Sequence, residues 1–158
     1  YGMGNTKSIV GALQYLGITD IAISNDHETL VSANKLILPG VGSFAQAMIM
    51  MQEKKIDTHL RDLVIKHKKP ILGICLGMQL IGMSSTEHGE HPGLCFIEGK
   101  VTRFNDQKLK VPHVGFNQVR INNKLKLYYK FDFVVYWGVY DVLAVMKRQD
   151  LNYHNQNK

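Results

Sequence analysis

Two kinds of apolar spacing alternate along the first half of the chain, and together they predict a layered α/β fold. Short, mainly apolar runs, typical of buried parallel strands, occur at Ile21–Ile23, Lys35–Leu38 and Pro70–Ile74. Between the later runs, apolar residues recur at helical spacing over Phe44–Gln52 and Ile56–Lys66. Strands that alternate with amphipathic helices imply a mostly parallel, doubly wound sheet.

Two further helices are predicted. Near the start of the chain, Asn5 can cap the first turn of a helix that Gly17 can close. The apolar face of this helix consists of Ile9, Val10, Leu13 and Leu16. Tyr1–Asn5 before it is typical of a loop after a strand, although that strand is absent from the sequence. The other helix is predicted from Leu76 to about Met83.

After Gly89 the spacing changes to short apolar runs separated by turn residues, which predicts an antiparallel extension of the sheet in the C-terminal half. These runs are Leu94–Ile97, Val101–Phe104, Phe116–Ile121, Phe131–Tyr136 and Val142–Met146. We expect a single domain over residues 1–147. Residues 148–158 contain few sizeable apolar side chains, so we expect an unstructured tail there.

Composition narrows the class of protein. Of the 158 residues, 45% are hydrophobic and 20% charged, as in globular proteins, and no apolar run approaches the roughly 20 residues of a membrane span. Because no signal peptide opens the chain and Cys75 and Cys95 are its two cysteines, we expect a cytoplasmic protein without a disulfide framework. Cys95 lies in an apolar run and is interpreted as inert packing.

The net charge of +6 raises the question of nucleic-acid binding. The lysines do not alternate with aromatic residues as they do in nucleic-acid modules, so we expect neither a nucleic acid nor a membrane as partner. An acidic partner, or a phosphorylated substrate on that partner, fits the basic surface better. The sequence predicts no metal site and no cofactor.

Candidate chemistry concentrates at Gly73-Ile74-Cys75-Leu76-Gly77, where a predicted strand turns directly into a helix. This is the cysteine counterpart of the Gly-x-Ser-x-Gly nucleophile elbow, in which a strained turn lifts the nucleophile above the sheet edge. Small residues on both sides are needed because neighbouring backbone crowds the turn. The helix N-terminus favours the thiolate. The pattern alone leaves open a buried structural cysteine after an ordinary strand.

A second motif, Pro39-Gly40-Val41-Gly42, follows another predicted strand, at the edge where ligands bind in open α/β sheets. A right-handed crossover can place this turn beside the elbow. The amides of Val41 and Leu76 would then point at one carbonyl oxygen. A plain strand-to-helix turn is the alternative for this motif taken alone.

Four segments, taken in order, resemble the glutaminase subunit of imidazole glycerol phosphate synthase, a class I (triad) glutamine amidotransferase. They are Tyr1–Asn5, Pro39–Phe44, Gly73–Leu80 and Val111–Asn117, within a resemblance that covers roughly residues 1–136. All class I amidotransferases share the elbow. The first and last segments are typical of this subunit and its close paralogues.

The resemblance implies that Cys75 attacks the side-chain amide of glutamine, forms a glutamyl thioester and releases ammonia. It also implies that the Val41 and Leu76 amides stabilise the oxyanion. Gly40, Gly42 and Gln79 are implied to bind the substrate. No cofactor is implied.

The implied partner is a (βα)₈-barrel cyclase that consumes the ammonia in histidine biosynthesis. The residues implied to lie toward this partner in the heterodimer are Asn5, Pro112, His113, Gly115, Phe116 and Asn117. His113 is interpreted as structural rather than catalytic.

The family's catalytic histidine and glutamate stand in a Gln-Phe-His-Pro-Glu segment, and neither is found in this chain. His91–Pro92 matches two letters but is followed by Gly93, so we interpret it as a coincidence. His154 has no glutamate two residues later. Where the family has Phe-Val-His-Ser-Tyr, this chain has Phe133–Trp137, which reads Phe-Val-Val-Tyr-Trp. The resemblance therefore implies a chain shortened at both ends.

Three other functions remain open at this point. A paralogue that supplies ammonia to surface-sugar biosynthesis is favoured by Gly115-Phe116, where the histidine-pathway subunit more often has Gly-Trp. A non-catalytic remnant that still binds a partner is favoured by the absent His-Pro-Glu. An unrelated elbow hydrolase, or a flavodoxin-like binding module, is the alternative with the least support, because no phosphate-binding Gly-x-Gly-x-x-Gly follows a predicted strand.

Overall fold

Two short parallel strands position the residues of the candidate site. In this computed structural model, which describes residues 1–2, 4–103 and 142–143, β1 (Leu36–Leu38) pairs in parallel with β2 (Ile71–Gly73). Leu36 lies opposite Ile71, and Leu38 lies opposite Gly73. The predicted parallel pairing is confirmed, and it brings the carboxyl ends of both strands to one edge.

Five α-helices surround this pair in the described part of the chain. They are α1 (Thr6–Tyr15), α2 (His27–Ser32), α3 (Phe44–Glu53), α4 (Ile56–Arg61) and α5 (Leu76–Leu80). A π-helical turn at Asp62–Lys66 continues α4, so the helices predicted over 44–52 and 56–66 are both confirmed. The predicted cap of α1 is present, since Asn5 Oδ1 accepts a hydrogen bond from the Ser8 amide at 3.4 Å.

Helix α2 was not predicted from the spacing of apolar residues. It begins at an Asp26 cap, whose carboxylate accepts hydrogen bonds from the Thr29 amide at 2.9 Å and the Thr29 hydroxyl at 3.0 Å. Its end is held by Lys69, whose ammonium donates to the carbonyls of Leu30 and Val31. Capping at both ends therefore stabilises a six-residue helix that has no buried residue.

A second sheet is mixed in direction. Its order is β4 (His91–Pro92), β3 (Ser84–Ser85), β5 (Lys100–Arg103) and β6 (Val142–Leu143). The β3–β4 and β5–β6 pairs are antiparallel, as predicted for the C-terminal half, while β3–β5 is parallel. The fold class is α/β.

The strand predicted at Ile21–Ile23 is wrong. These residues lie in irregular structure, and the Ile23 side chain is 68% exposed. The pairing of β1 within the described residues is with β2, so no described strand lies beside this segment to hydrogen-bond it.

The strand predicted at Leu94–Ile97 is also wrong, because its amides are used elsewhere. Leu94 N–H donates to the Leu80 carbonyl at 2.8 Å and Cys95 N–H to the Gly82 carbonyl at 2.9 Å. The segment thus satisfies carbonyls at and just after the end of α5, which stops at Leu80 rather than at Met83. Cys95 has a φ of 58° and is exposed, so the expectation that it packs within an apolar strand is wrong.

The core lies between β1, β2 and the helices that follow them. The side chains with the lowest exposure and largest volume include Phe44, Met51, Leu80, Leu94 and Val101. The Glu87 carboxylate accepts a hydrogen bond from the Phe44 amide at 2.8 Å, and this ties the start of α3 to the segment after β3.

Several predictions lie outside the described residues. They concern the strands at Phe116–Ile121 and Phe131–Tyr136, the partner-facing segment Pro112–Asn117, and the tail at 148–158. Within the described residues, none of the helices combines the length and the apolar character that crossing a bilayer requires.

Candidate active site

Cys75 stands at a strained backbone position between β2 and α5. Its φ of 55° and ψ of −120° lie in a region that side-chain-bearing residues rarely adopt. Such conformations cost about 1–3 kcal/mol each and persist where the surrounding structure imposes them. The half-buried cysteine therefore sits on a sharp strand-to-helix turn of the kind that the sequence predicts.

The two glycines of the elbow are required by close backbone contacts. A Cβ on Gly73 would lie 2.5 Å from Met78 Cα and 2.6 Å from Met78 N. A Cβ on Gly77 would overlap the carbonyl oxygen of Leu38, in the neighbouring strand. The predicted need for small residues on either side of the cysteine is confirmed, and Gly77 lets α5 start directly against the end of β1.

The turn at residues 39–42 packs against the start of α5. A Cβ on Gly40 would lie 2.8 Å from Gly77 N and 2.8 Å from Leu76 Cβ, so the two motifs are in direct contact. Gly42 has a φ of 91°, which favours glycine. The crossover from β1 to β2 thus brings together the two segments that the sequence analysis singled out.

The backbone hydrogen bonds of α5 leave one amide of its first turn available. Gly77 N–H donates to the Ile74 carbonyl and Met78 N–H to the Cys75 carbonyl, both at 3.0 Å. Among the described residues, neither the Leu76 amide nor the Val41 amide has a hydrogen-bond acceptor. Two amides near the cysteine are therefore available to an oxygen atom of a ligand.

Gln79 follows Cys75 by one helical turn. Its amide donates to the Cys75 carbonyl at 3.4 Å, and the residue is half-buried. Asn5 serves as the cap of α1, and His91 lies in β4. The described residues contain no cluster of three or more histidine, cysteine, aspartate or glutamate side chains that suits a metal ion.

Tyr1 is a neighbour of the site that reasoning from the sequence missed. Its hydroxyl donates a hydrogen bond to the Pro39 carbonyl at 2.7 Å and fills the space where residue 40 would carry a Cβ. Burial raises the pKa of the Tyr1 phenol, and the negative charge of a Cys75 thiolate raises it further. The sole sequence signal for this role is the position of Tyr1 in the first segment that resembles the family, Tyr1–Asn5, and this does not identify a contact.

Comparisons with known proteins agree on one family. The sequence profile described as "Glutamine amidotransferase class-I" matches residues 1–156. The imidazole glycerol phosphate synthase subunit HisH of Aquifex aeolicus is 43% identical over 119 residues, which are 75% of this chain and 56% of the relative. Subunit HisH of Lactiplantibacillus plantarum is 38% identical over 146 residues, covering 92% of this chain and 69% of the relative.

Two further matches show what share of each related protein this chain covers. Subunit HisH 1 of Campylobacter jejuni strain RM1221 is 43% identical over 133 residues, which are 84% of this chain and 66% of the relative. The chain thus spans 56–66% of the length of the Aquifex and this Campylobacter relative. A solved glutamine amidotransferase structure shares the fold, with a TM-score of 0.55 and 24% identity over 66% of this chain and 56% of that chain.

Proposed function

Since this chain belongs to the class-I glutamine amidotransferase family, we propose that it takes ammonia from the side-chain amide of glutamine, with Cys75 as the nucleophile. The observation that carries the proposal is the strained backbone at Cys75, with φ 55° and ψ −120°, beside the turn at residues 39–42. Strain of this kind concentrates at functional sites, where it presents a side chain to its substrate.

In the proposed reaction, Cys75 Sγ bonds to the amide carbon of glutamine. The carbon–nitrogen bond then breaks, the thiol proton leaves with the nitrogen as ammonia, and a glutamyl thioester remains. Water hydrolyses the thioester to glutamate and restores the thiol. The reaction consumes one glutamine and one water and needs no redox partner.

The amides of Val41 and Leu76 are proposed to stabilise the tetrahedral intermediate. Negative charge develops on the former carbonyl oxygen as sulfur adds, and preorganised donors hold that charge better than mobile water does. One such donor typically lowers the barrier by roughly 3 kcal/mol. The absence of an acceptor for either amide among the described residues supports this assignment.

Substrate binding is proposed for the backbone of Gly40 and Gly42 and for the Gln79 side chain, which would hold the α-amino acid end of glutamine. Gln79 supports this role by its place one turn after Cys75, on the same short helix.

The acceptor of the ammonia is proposed to be a cyclase subunit with a (βα)₈-barrel fold, in a cytoplasmic heterodimer of histidine biosynthesis. The names of the relatives support this, since they are subunits of imidazole glycerol phosphate synthase. Asn5 and residues 112–117, namely Pro112, His113, Gly115, Phe116 and Asn117, are proposed to face that partner. His113 would be structural there.

A paralogue with a different ammonia acceptor is the second candidate. Some relatives carry the names HisH 1 and HisH 2, which indicates more than one such subunit in a single organism. The two candidates share the chemistry at Cys75 and differ in the partner that consumes the ammonia. Co-purification with the cyclase encoded in the same genome would favour the histidine pathway.

The chemistry is tested by labelling with 6-diazo-5-oxo-L-norleucine, a glutamine analogue. Its diazo carbon takes up the thiol proton and forms a bond to sulfur as dinitrogen leaves. We expect the label on Cys75 and not on Cys95, although Cys95 is the more exposed thiol. Mass spectrometry of the digested protein locates the label. Exposure alone would favour reaction at Cys95. Selective labelling of Cys75 would therefore mean that the protein binds the analogue beside Cys75 and activates the Cys75 thiol.

Two variants and a competitor make the labelling decisive. Cys75→Ala is expected to abolish the label, Cys95→Ala to leave it intact, and excess L-glutamine to slow it. Equal labelling of both cysteines, or labelling of Cys75 that glutamine does not slow, would count against a glutamine site.

A further inference from the structure

The turn at residues 39–42 contains a peptide whose orientation the backbone alone does not determine. The Pro39 carbonyl belongs to the peptide that enters Gly40, and the Val41 amide belongs to the peptide that leaves it. Glycine rotates about φ and ψ more freely than any other residue, so Gly40 alone would let the two peptides turn independently. Some contact from outside the turn has to hold them.

The Tyr1 hydroxyl is such a contact. It donates to the Pro39 carbonyl at 2.7 Å, and the phenol packs against the core formed by β1, β2 and α3. The hydroxyl also occupies the space beside Gly40 that faces Leu76. One side chain therefore touches the turn on the side where the turn meets the start of α5.

We propose that Tyr1 is a positioning residue for the oxyanion-binding turn: its hydroxyl fixes the Pro39–Gly40 peptide and, by occupying the space beside Gly40, limits the rotation that would turn the Val41 amide away from the substrate carbonyl. This inference rests on the proposed function of Cys75. Tyr1 neither bonds to the substrate nor moves a proton. It acts through the orientation of one peptide.

The electrostatics of the phenol agree with this role. Burial raises the pKa of Tyr1 above its ordinary value, and proximity to Cys75 raises it further, so the hydroxyl keeps its proton while a thiolate forms nearby. A phenol that stays protonated remains a donor to Pro39 throughout the reaction.

The test compares two alkylating reagents on Tyr1→Phe. Phenylalanine keeps the ring that packs on the core and removes the hydroxyl alone. Diazo-oxo-norleucine reacts while the turn holds its carbonyl group, whereas with iodoacetamide the thiolate attacks the methylene carbon directly and iodide leaves. We expect the first rate at Cys75 to fall by about tenfold, the usual effect of one lost hydrogen bond. We expect the iodoacetamide rate to change less than about twofold.

Tyr15→Phe is the matched control, because Tyr15 is 93% exposed and the substitution removes the same atom. Both of its rates should equal those of the unsubstituted chain. If Tyr1→Phe lowers both rates equally, the substitution disturbs the elbow as a whole. If it lowers neither rate, the hydroxyl does not position the turn. Each result overturns the role of Tyr1. Failure of the unsubstituted chain to react with the analogue would instead overturn the proposed function.

Discussion

Gly77→Ala is expected to lower the free energy of unfolding by about 3 kcal/mol, a large effect for one added methyl group. The new Cβ would overlap the Leu38 carbonyl oxygen, and both groups belong to backbone that cannot move independently. To remove this overlap, α5 has to shift away from β1. The shift would break the contact between Leu76 and the turn at residues 39–42. Urea denaturation monitored by circular dichroism measures the loss.

Gly11→Ala is the control for this substitution. Gly11 also lies within a helix, α1, but no atom lies within 4 Å of the position that its Cβ would occupy. Alanine there should stabilise the helix by up to about 1 kcal/mol, because it has the higher helix propensity. Equal and small effects at both positions would contradict the close approach of α5 to β1.

Gly40→Ala is expected to slow the reaction of Cys75 with diazo-oxo-norleucine by about 100-fold, the low end for loss of an oxyanion donor. A Cβ at this position would overlap the Tyr1 hydroxyl and lie 2.8 Å from Gly77 N. The turn has to move away from α5, and the Val41 amide moves with it. The rate is measured by quenching the labelling reaction after a series of times and quantifying the labelled Cys75 peptide by mass spectrometry.

The control for Gly40→Ala is again Gly11→Ala, which should label at the rate of the unsubstituted chain. Iodoacetamide provides a second reference, since its attack does not depend on the turn. A rate with the glutamine analogue within about threefold of the original would show that the turn does not bind the carbonyl, because a lost donor costs far more.

The elbow could be predicted from the sequence because its chemistry depends on local spacing. Glycines are needed two residues before and two residues after Cys75 because a Cβ there would collide with neighbouring backbone. The same steric requirement applies wherever a strand turns directly into a helix. The parallel pairing of β1 and β2 was predictable for a similar reason, since a helix-containing crossover between two apolar runs favours it.

The errors arose where distant partners decide the structure. Leu94–Ile97 has the composition of a strand, but its amides donate hydrogen bonds to carbonyls at the end of α5. The spacing of apolar residues along the sequence does not predict these hydrogen bonds. Ile21–Ile23 lacks a neighbouring strand among the described residues. The contact of Tyr1 with Pro39 joins residues 38 positions apart, so it appears only in the folded chain.

Cys75 and the amides of Val41 and Leu76 are expected to converge on one oxygen atom, and an aldehyde analogue of glutamine shows most directly whether they do. Glutamate γ-semialdehyde should form a thiohemiacetal with Cys75, whose former carbonyl oxygen occupies the place of the oxyanion. In a crystal structure of this adduct we predict that oxygen about 3 Å from both amide nitrogens. An oxygen that points to solvent, with either amide turned away, would contradict the assignment of this site.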